Sequence, residues 1–377
     1  MRPRVLVVRG HQANPWELRP WEELLDRYDV SYLRTDSTMF DTSLLRLPAR
    51  PARAVRDVLP RGRAGDLLAR IPGDRYLTPA RALRGADIVH AQELGYWYSA
   101  QAARLKRQLG YRLVLTVWET IPFADAYRNV RTRPYRELVL SETDLFLAAT
   151  ERARAALLLE GAAPERVVVA PPGVDLERFA TPSAAPDGRH LILSPGRLVW
   201  EKGHQDAIRA LAALRRGVVA APDGADPRLL IVGAGPEEGR LRRHAAELGL
   251  ADAVELRSFV PYEQMPGLFA RASCMVLGSL PRVHWEEQFG MVLAEAMAAS
   301  VPIVASSSGA IPEVVGPDVP QFAPGDWLGL ARLLAAGPLS RPPGERAHYD
   351  PERIRRFGAR AAAERLSSAY EQVLRGA

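Results

Sequence analysis

Apolar residues fall along this chain in short β-branched runs, separated by stretches with helical spacing. RVLVV (4–8), DVSYL (29–33), DIVH (87–90), RLVLTV (112–117), DLFLAA (144–149) and RVVVA (166–170) are predicted strands. YWYSAQAARLKRQLG and ERARAALLLEGA, lying among them, are predicted helices. A second set of strands follows: HLILS (190–194), RLLIVG (228–233), AVELRSF (253–259), SCMVLG (273–278) and VPIVAS (301–306), with helices such as GHQDAIRALAALRR and EEGRLRRHAAELGL between. Apolar strands alternating with helices imply parallel sheets covered on both faces. The pattern breaks at FATPSAAPDGRH (179–190), where Pro, Gly, Ser and Asp mark a linker. The expected fold class is therefore α/β, with two doubly wound, Rossmann-like domains, 1–182 and 186–355, and an interdomain cleft. In open sheets of this kind ligands bind beyond the carboxyl ends of the strands.

Composition narrows the class. The chain has 377 residues, 47% apolar and 25% charged, an ordinary globular balance with material for two domains. A single cysteine, Cys274, excludes an internal disulfide and a Cys-rich metal site. RVLVV is too short for a signal peptide, and no run approaches the ~18 apolar residues of a membrane span. A cytoplasmic protein is expected.

Charge adds one feature. The formal charge is +6 and the pI about 9.6, and the excess is uneven. Ten arginines but only three aspartates lie between Leu45 and Gly85, with Arg46, Arg50, Arg53, Arg56, Arg61 and Arg63 alternating with Leu, Val, Ala and Pro. The plain reading is a solvated, proline-broken surface. The sharper one is an edge that meets anionic lipid headgroups, peripherally at the inner face of the membrane, or an anionic acceptor. Nucleic acid is not an expected partner: the segment matches no recognition motif and its one aromatic is Tyr76.

The chemistry concentrates in EEQFGMVLAEAMAASVPIVASSSGAIPE (286–313). A helix is expected to start near Phe289 or Gly290. Its first N–H groups lack intrahelical partners and carry partial positive charge, a ready site for phosphate, and a glycine allows close approach. Glu287 precedes that turn, and Glu295 sits roughly 8 Å along the helix. The two carboxylates would bracket a diphosphate, each accepting hydrogen bonds from sugar hydroxyls. SPGRLVWEKG (194–203) follows the first strand of the second domain and offers Arg197 and Lys202 to the phosphates. Lys202 is one of only two lysines in the chain.

GRLVWEKG, IVGAGPE, EEQFGMVLAEAMAASVPIVAS and GAIPEVV together resemble the fourth family of retaining glycosyltransferases, glycosyl transferases group 1, of the GT-B fold. The resemblance is strong from about 190 to 316 and extends to VVVAPPGVDLERF, where Pro172 stands for the family's usual asparagine. It implies that a C-terminal helix, 356–377, packs back on the first domain. It also implies that Glu287 binds donor-sugar hydroxyls, that Phe289, Gly290, Met291 and Val292 border the sugar and diphosphate, and that Glu295 holds the ribose diol. Arg197 and Lys202, beside Gly196, would neutralise the leaving group. Gly233, in VGAGPE, and Phe259 and Val260, in SFVPYEQ, would lie beside the nucleoside.

The first domain, expected to bind the acceptor, is less regular. Gly10, in RGHQANPWEL, would let its loop approach the donor phosphate, although the family often has two adjacent glycines there. His90 ends a predicted strand and is expected to face the cleft. In VLTVWETIPF, Trp118 stands where many members of the family have a histidine beside the reacting sugar. Tryptophan accepts no proton but can stack on a sugar, which leaves Glu119 or His90 to orient the acceptor.

No two aspartates are separated by a single residue, and no His/Cys/carboxylate cluster suggests zinc. No metal and no cofactor are therefore expected. Cations and the helix end would stabilise the departing diphosphate. The expected activity is retaining, metal-independent transfer of a sugar from a nucleotide diphosphate sugar (UDP- or GDP-linked) to a hydroxyl of a glycan, a lipid-linked or a small-molecule acceptor. The alternative is a nucleotide-sugar-binding protein of the same fold with little or no catalysis. A nicotinamide-dependent oxidoreductase lacks its G-x-G-x-x-G after the first strand.

Overall fold

The computed structural model describes residues 2–376 apart from 61, 63–64, 66–67, 69–72, 74, 125–132 and 185–187. Arg61 and Arg63 of the arginine-rich segment lie outside the described residues. The first sheet holds β1 (Arg4–Val7), β2 (Asp29–Arg34), β3 (Ala49–Pro51), β4 (Ile88–Gln92), β5 (Arg112–Val117), β6 (Leu145–Ala148) and β7 (Val167–Val169). Their order is β3-β2-β1-β4-β5-β6-β7. The second sheet holds β8 (Leu191–Pro195), β9 (Arg228–Val232), β10 (Val254–Arg257), β11 (Cys274–Leu277), β12 (Ile303–Ser306) and β13 (Gln321–Phe322), in the order β10-β9-β8-β11-β12-β13. Each pairing between these strands is parallel. The sequence pattern does not show β3 and β13, which are edge strands of three and two residues with no apolar run of their own.

Alternation along the strands separates two cores in the first unit. Leu6, Val8, Val89, Ala91, Leu113 and Leu115 point to one face. Val5, Val7, Ile88 and Val114 point to the other, where they meet Leu18 and Trp21 of the helix Pro15–Glu22. The period of two makes this partition automatic. The helix Ala359–Arg375 closes the second face with Ala363, Leu366, Tyr370 and Val373, spaced to form one stripe. The Tyr370 hydroxyl accepts from Trp21 Nε1 at 2.7 Å, and Tyr28 donates to the Ser367 carbonyl at 3.2 Å.

The chain divides into two compact units, Met1–Val174 with Arg356–Ala377, and Asp175–Arg355. The division falls ahead of the boundary expected at 182. Phe179, on the short helix Leu176–Phe179, is fully buried with its ring 5.7 Å from Tyr262 and 5.5 Å from Phe269, which ties that segment to the second unit. Gly173 marks the crossing: a Cβ there would lie 2.8 Å from Ala359 Cα and from Pro20 Cγ. Val174 then pairs with Gly358, its N–H bonding the Phe357 carbonyl at 2.7 Å.

Strand order reverses between β1 and β4 in one sheet and between β8 and β11 in the other. Such switch points open a crevice at the carboxyl ends of the strands. Among the described residues no helix is long and apolar enough to cross a membrane.

Candidate functional site

The loops after β8 and β11, flanking the switch point of the second unit, carry Gly196, Arg197, Lys202, Glu287, Phe289 and Gly290, while Gly233 follows β9 and Phe259 and Val260 follow β10. After β8 the chain turns at Gly196 (φ 151°) and runs against the loop after β9 at Gly233 (φ 154°). A Cβ on Gly233 would lie 1.8 Å from the Gly196 carbonyl oxygen, so only glycine permits this approach. Backbone bonds from Leu198 N–H to Ala234 at 2.9 Å and from Glu237 N–H to Leu198 at 3.0 Å lock the two loops. His204 anchors them from below. Its Nε2 donates to the Arg197 carbonyl at 3.1 Å, so Nδ1 accepts from the Ser194 hydroxyl at 2.8 Å. Burial pushes the His204 pKa down to about 4, keeping the ring neutral. The Arg197 side chain is exposed and forms no ion pair among the described residues.

Glu287 and Lys202 form one unit rather than two independent groups. Lys202 Nζ lies 2.7 and 3.0 Å from the two Glu287 carboxylate oxygens, with side chains only 14% and 7% exposed. Ser279, in the loop after β11, donates to the same carboxylate at 2.5 Å, and its own carbonyl accepts from Ser306 Oγ at 2.7 Å. The ammonium also lies 5.0 Å from the Trp285 ring centre. The Glu287 backbone is held by Ala310 N–H at 2.8 Å, and position 309 takes only glycine because a Cβ there would come within 2.2 Å of the Glu287 carbonyl oxygen. SSSGAIPE thus sets the position of Glu287 from the far side.

Gly290, in the left-handed region at φ 79°, caps the helix Met291–Ala298. Helix geometry leaves the N–H groups of Met291 and Val292 without intrahelical acceptors. Phe289 is buried beneath this turn. Glu295 is 3% exposed and accepts a hydrogen bond from the Tyr262 hydroxyl at 2.8 Å. Burial raises its pKa to about 7, against the Tyr262 bond. Tyr262 in turn lies beneath the Arg178 guanidinium, 5.7 Å from its ring centre. Phe259 is 74% exposed and Val260 half-buried. Glu287 bonds Lys202 and Ser279, whereas Glu295 bonds Tyr262.

Two first-unit residues are placed differently from expectation. Gly10 is buried, and its N–H donates to the Tyr76 hydroxyl at 3.2 Å, so that amide is not free for a phosphate. His90 does not face an open crevice. Strand alternation turns it to the face covered by the C-terminal helix, where it is 0% exposed. Its Nδ1 is 2.6 Å from the Tyr370 hydroxyl and its Nε2 2.7 Å from Thr116 Oγ1. Burial, aided by the nearby Arg9, holds its pKa well below the usual histidine range. It is a neutral support for the core.

Glu119 is half-buried and accepts from the N–H groups of Thr120 and Ile121, both at 2.9 Å, which fixes its turn. Trp118 N–H donates to Glu93 at 2.7 Å. Glu93 occupies a positive-φ conformation (61°), and burial pushes its carboxyl up to about 8, with the Glu119 charge adding to the rise. For a non-glycine residue this backbone is uncommon and concentrates at functional sites.

Sequence reasoning missed Ser279, His204, Glu93 and the role of Tyr262 towards Glu295. They emerge from contacts between loops and helices at the strand ends, which no local motif encodes. Among the described residues no group of three or more His, Cys, Asp or Glu is arranged to hold a metal ion.

Two parallel-sheet Rossmann-like units, with a glycine-capped helix and a buried Lys–Glu pair at the second switch point, define a glycosyltransferase of GT-B type. The chain belongs to the group 1/family 4 glycosyltransferases: residues 176–336 match Glycosyl transferases group 1 and residues 11–178 match Glycosyltransferase Family 4. It is 32% identical to a D-inositol 3-phosphate glycosyltransferase of Segniliparus rotundus over 77% of this chain and 67% of that protein. It is 38% identical to a GDP-mannose-dependent alpha-(1-6)-phosphatidylinositol monomannoside mannosyltransferase of Mycolicibacterium smegmatis, over 44% of this chain and 48% of the relative. In fold it resembles Anabaena HepE in complex with UDP (TM-score 0.72, 17% identity, 98% and 100% of the two chains). It also resembles sucrose-phosphate synthase from Thermosynechococcus elongatus (TM-score 0.76, 19% identity, 100% of both chains).

Proposed function

We propose that this protein transfers a sugar, with retention and without a metal ion, from a nucleotide diphosphate sugar held in the second unit to an acceptor hydroxyl bound by the first. The observation that carries the reading is the Lys202–Glu287–Ser279 cluster set beside the Gly290 helix start. Arg197, Lys202 and the amides of Met291 and Val292 neutralise charge that grows on the departing diphosphate. Glu287, poised between Lys202 and Ser279, exchanges part of that network for the hydroxyls of the transferred sugar. Glu295 takes the ribose diol, its carboxylate aimed by Tyr262. Glu119, at the end of β5, orients the acceptor. Gly196, Gly233, Phe259 and Val260 border the nucleoside.

The relatives' names give the proposal its donors and acceptors. One uses GDP-mannose, one structural neighbour holds UDP, and the acceptors named are an inositol 3-phosphate and a phosphatidylinositol mannoside. A UDP- or GDP-sugar and a glycan, lipid-linked or small-molecule acceptor follow by analogy. A thermal-shift screen of UDP- and GDP-sugars with and without EDTA tests this: a ligand that binds only the folded state raises Tm by mass action. No shift with any nucleotide sugar, or a shift abolished by EDTA, overturns it.

A binding protein without turnover is the second reading, favoured by Trp118 in place of the family histidine. Donor consumption over an acceptor panel separates the two. Cytoplasmic residence with peripheral contact at the membrane is proposed from the surface around the arginine-rich segment. Met39, Phe40, Leu44, Val58 and Leu77 are exposed there near Arg46, Arg50 and Arg53. Equal failure to float with anionic and neutral liposomes removes that element.

A further inference from the structure

The first unit contains a small, mostly apolar cavity of about 50 Å³ at the carboxyl ends of its strands. Arg9 after β1, Thr116 and Trp118 at the end of β5, and Ala149 after β6 contribute to its walls, with Glu17 and Leu366 coming from the flanking helices. Arg9 is 3% exposed. Among the described residues its guanidinium bonds only through Nη1, to the carbonyls of Val8 at 3.1 Å and His90 at 3.2 Å, and it lies 5.2 Å from the Trp21 ring centre. Glu17 and Glu93 act on it electrostatically, but neither carboxylate forms an ion pair with it. Nε and Nη2 therefore have no hydrogen-bond partner among the described residues.

A buried cation whose neighbouring carboxylate, Glu17, acts on it through space without a hydrogen-bonded ion pair is only partly compensated, and arginine cannot escape by losing its proton. The unbonded Nε–Nη2 edge is a planar fork that matches the two oxygens of a carboxylate or phosphate. Size selects the occupant. One water needs ~10–15 Å³, so the cavity takes a compact group of a few heavy atoms and excludes a sugar ring. The ring of an acceptor would lie outside, where Trp118 lines the wall.

We propose that the cavity seats a compact oxyanion carried by the acceptor, a phosphate monoester or a carboxylate, on the free edge of Arg9. This rests on the reading of the first unit as the acceptor side and names the acceptor class: a hydroxylated molecule that bears one such anion. Glu17 shares the pocket and opposes the guest by its charge, so it limits affinity and Arg9 supplies it.

Crystals soaked in tungstate, a heavy phosphate analogue, and separately in bromoacetate, the carboxylate arm, locate the anion by anomalous scattering. The expected result is a peak within hydrogen-bond distance of Arg9 Nη2, absent in Arg9→Gln. In solution, inorganic phosphate is titrated against wild type and Glu17→Gln with glycerol as the neutral control, and a charge-assisted bond freed of a like charge tightens about fivefold. Glu17→Gln keeps the test open should Arg9→Gln fail to fold. No peak in wild type or Glu17→Gln, a peak that survives Arg9→Gln, or unchanged phosphate affinity in Glu17→Gln overturns the proposal. A peak whose loss leaves the KM for phosphorylated and neutral acceptors equally unchanged marks an adventitious ion only and also overturns it. Nucleotide-induced thermal shifts read the second unit, so a failure here is distinct from a failure of the transferase reading.

Discussion

Lys202 Nζ holds both oxygens of Glu287, at 2.7 and 3.0 Å, in a pocket that leaves neither side chain more than 14% exposed. The two residues to which the proposed transfer gives opposite tasks, one for a phosphate and one for a sugar, are thus each other's counter-ion in the free protein. Removing either leaves a buried charge alone. Lys202→Met and Glu287→Gln should each lower stability by about 3–5 kcal/mol. The double variant Lys202→Met/Glu287→Gln should lose less than the sum, by about 1–3 kcal/mol of coupling. Urea unfolding of the four proteins checks this, and additive losses would contradict the shared network. Donor turnover should fall by about 10²-fold or more in either single variant.

Glu295 titrates near pH 7 because burial disfavours its charge. Only the carboxylate accepts both hydroxyls of a diol, so nucleotide binding should weaken as pH falls through that value. The apparent Kd for the nucleoside diphosphate should be about tenfold higher at pH 6 than at pH 8. Glu295→Gln should bind weakly with a flat profile, measured by calorimetry. Stability runs the other way. The folded-state pKa is raised, so this group's contribution is full below about 4.5 and is lost as pH rises through about 7.

His204 has the opposite sign. Its folded-state pKa is depressed from 6.5 to about 4, so its contribution is present above 6.5 and lost as pH falls through about 4. Between pH 7.5 and pH 5 it accounts for about 2 kcal/mol of lost stability. His204→Asn should flatten that part of the pH profile in urea titrations, leaving the share due to the buried His90. An unchanged acid slope would show that the ring is not held neutral.

Gly233 and Gly249 both have positive φ, 154° and 73°, but differ in surroundings. A Cβ at Gly233 meets a carbonyl oxygen at 1.8 Å, whereas at Gly249 it meets nothing within 4 Å. Gly249→Ala should cost only backbone strain, about 1 kcal/mol, with nucleotide binding intact. Gly233→Ala must separate two loops and should abolish the nucleotide-induced thermal shift. Equal behaviour of the two variants in a thermal-shift assay would contradict the interlock.

In the second unit the helix start at Gly290 was legible, because a glycine ahead of a helix-forming run is a local signal. That Lys202 and Glu287 pair with each other was not. The buried strands of both sheets were legible as well, since runs such as RLVLTV and SCMVLG have no other stable use. The short edges Ala49–Pro51 and Gln321–Phe322 were not, because an edge strand needs no apolar run. DIVH reads as the end of a strand with His90 at its tip, but β4 runs on to Gln92 and His90 lies in its middle. Parity with Ile88 puts it under the helix Ala359–Arg375, some 280 residues away in sequence.

By itself the sequence determined what depends on neighbours along the chain: strand and helix periods, glycines at turns and the family motifs, together with the single cysteine that leaves no internal disulfide to form. The tertiary structure decided which groups become partners. Lys202 with Glu287, Tyr262 with Glu295, His204 with Ser194, and Arg9 with the carbonyls of Val8 and His90 all depend on groups brought together at the ends of parallel strands. The physical reason is that charge and hydrogen bonding act through space over a few ångströms. A linear pattern reports that distance only within a turn or a strand, and not across a sheet.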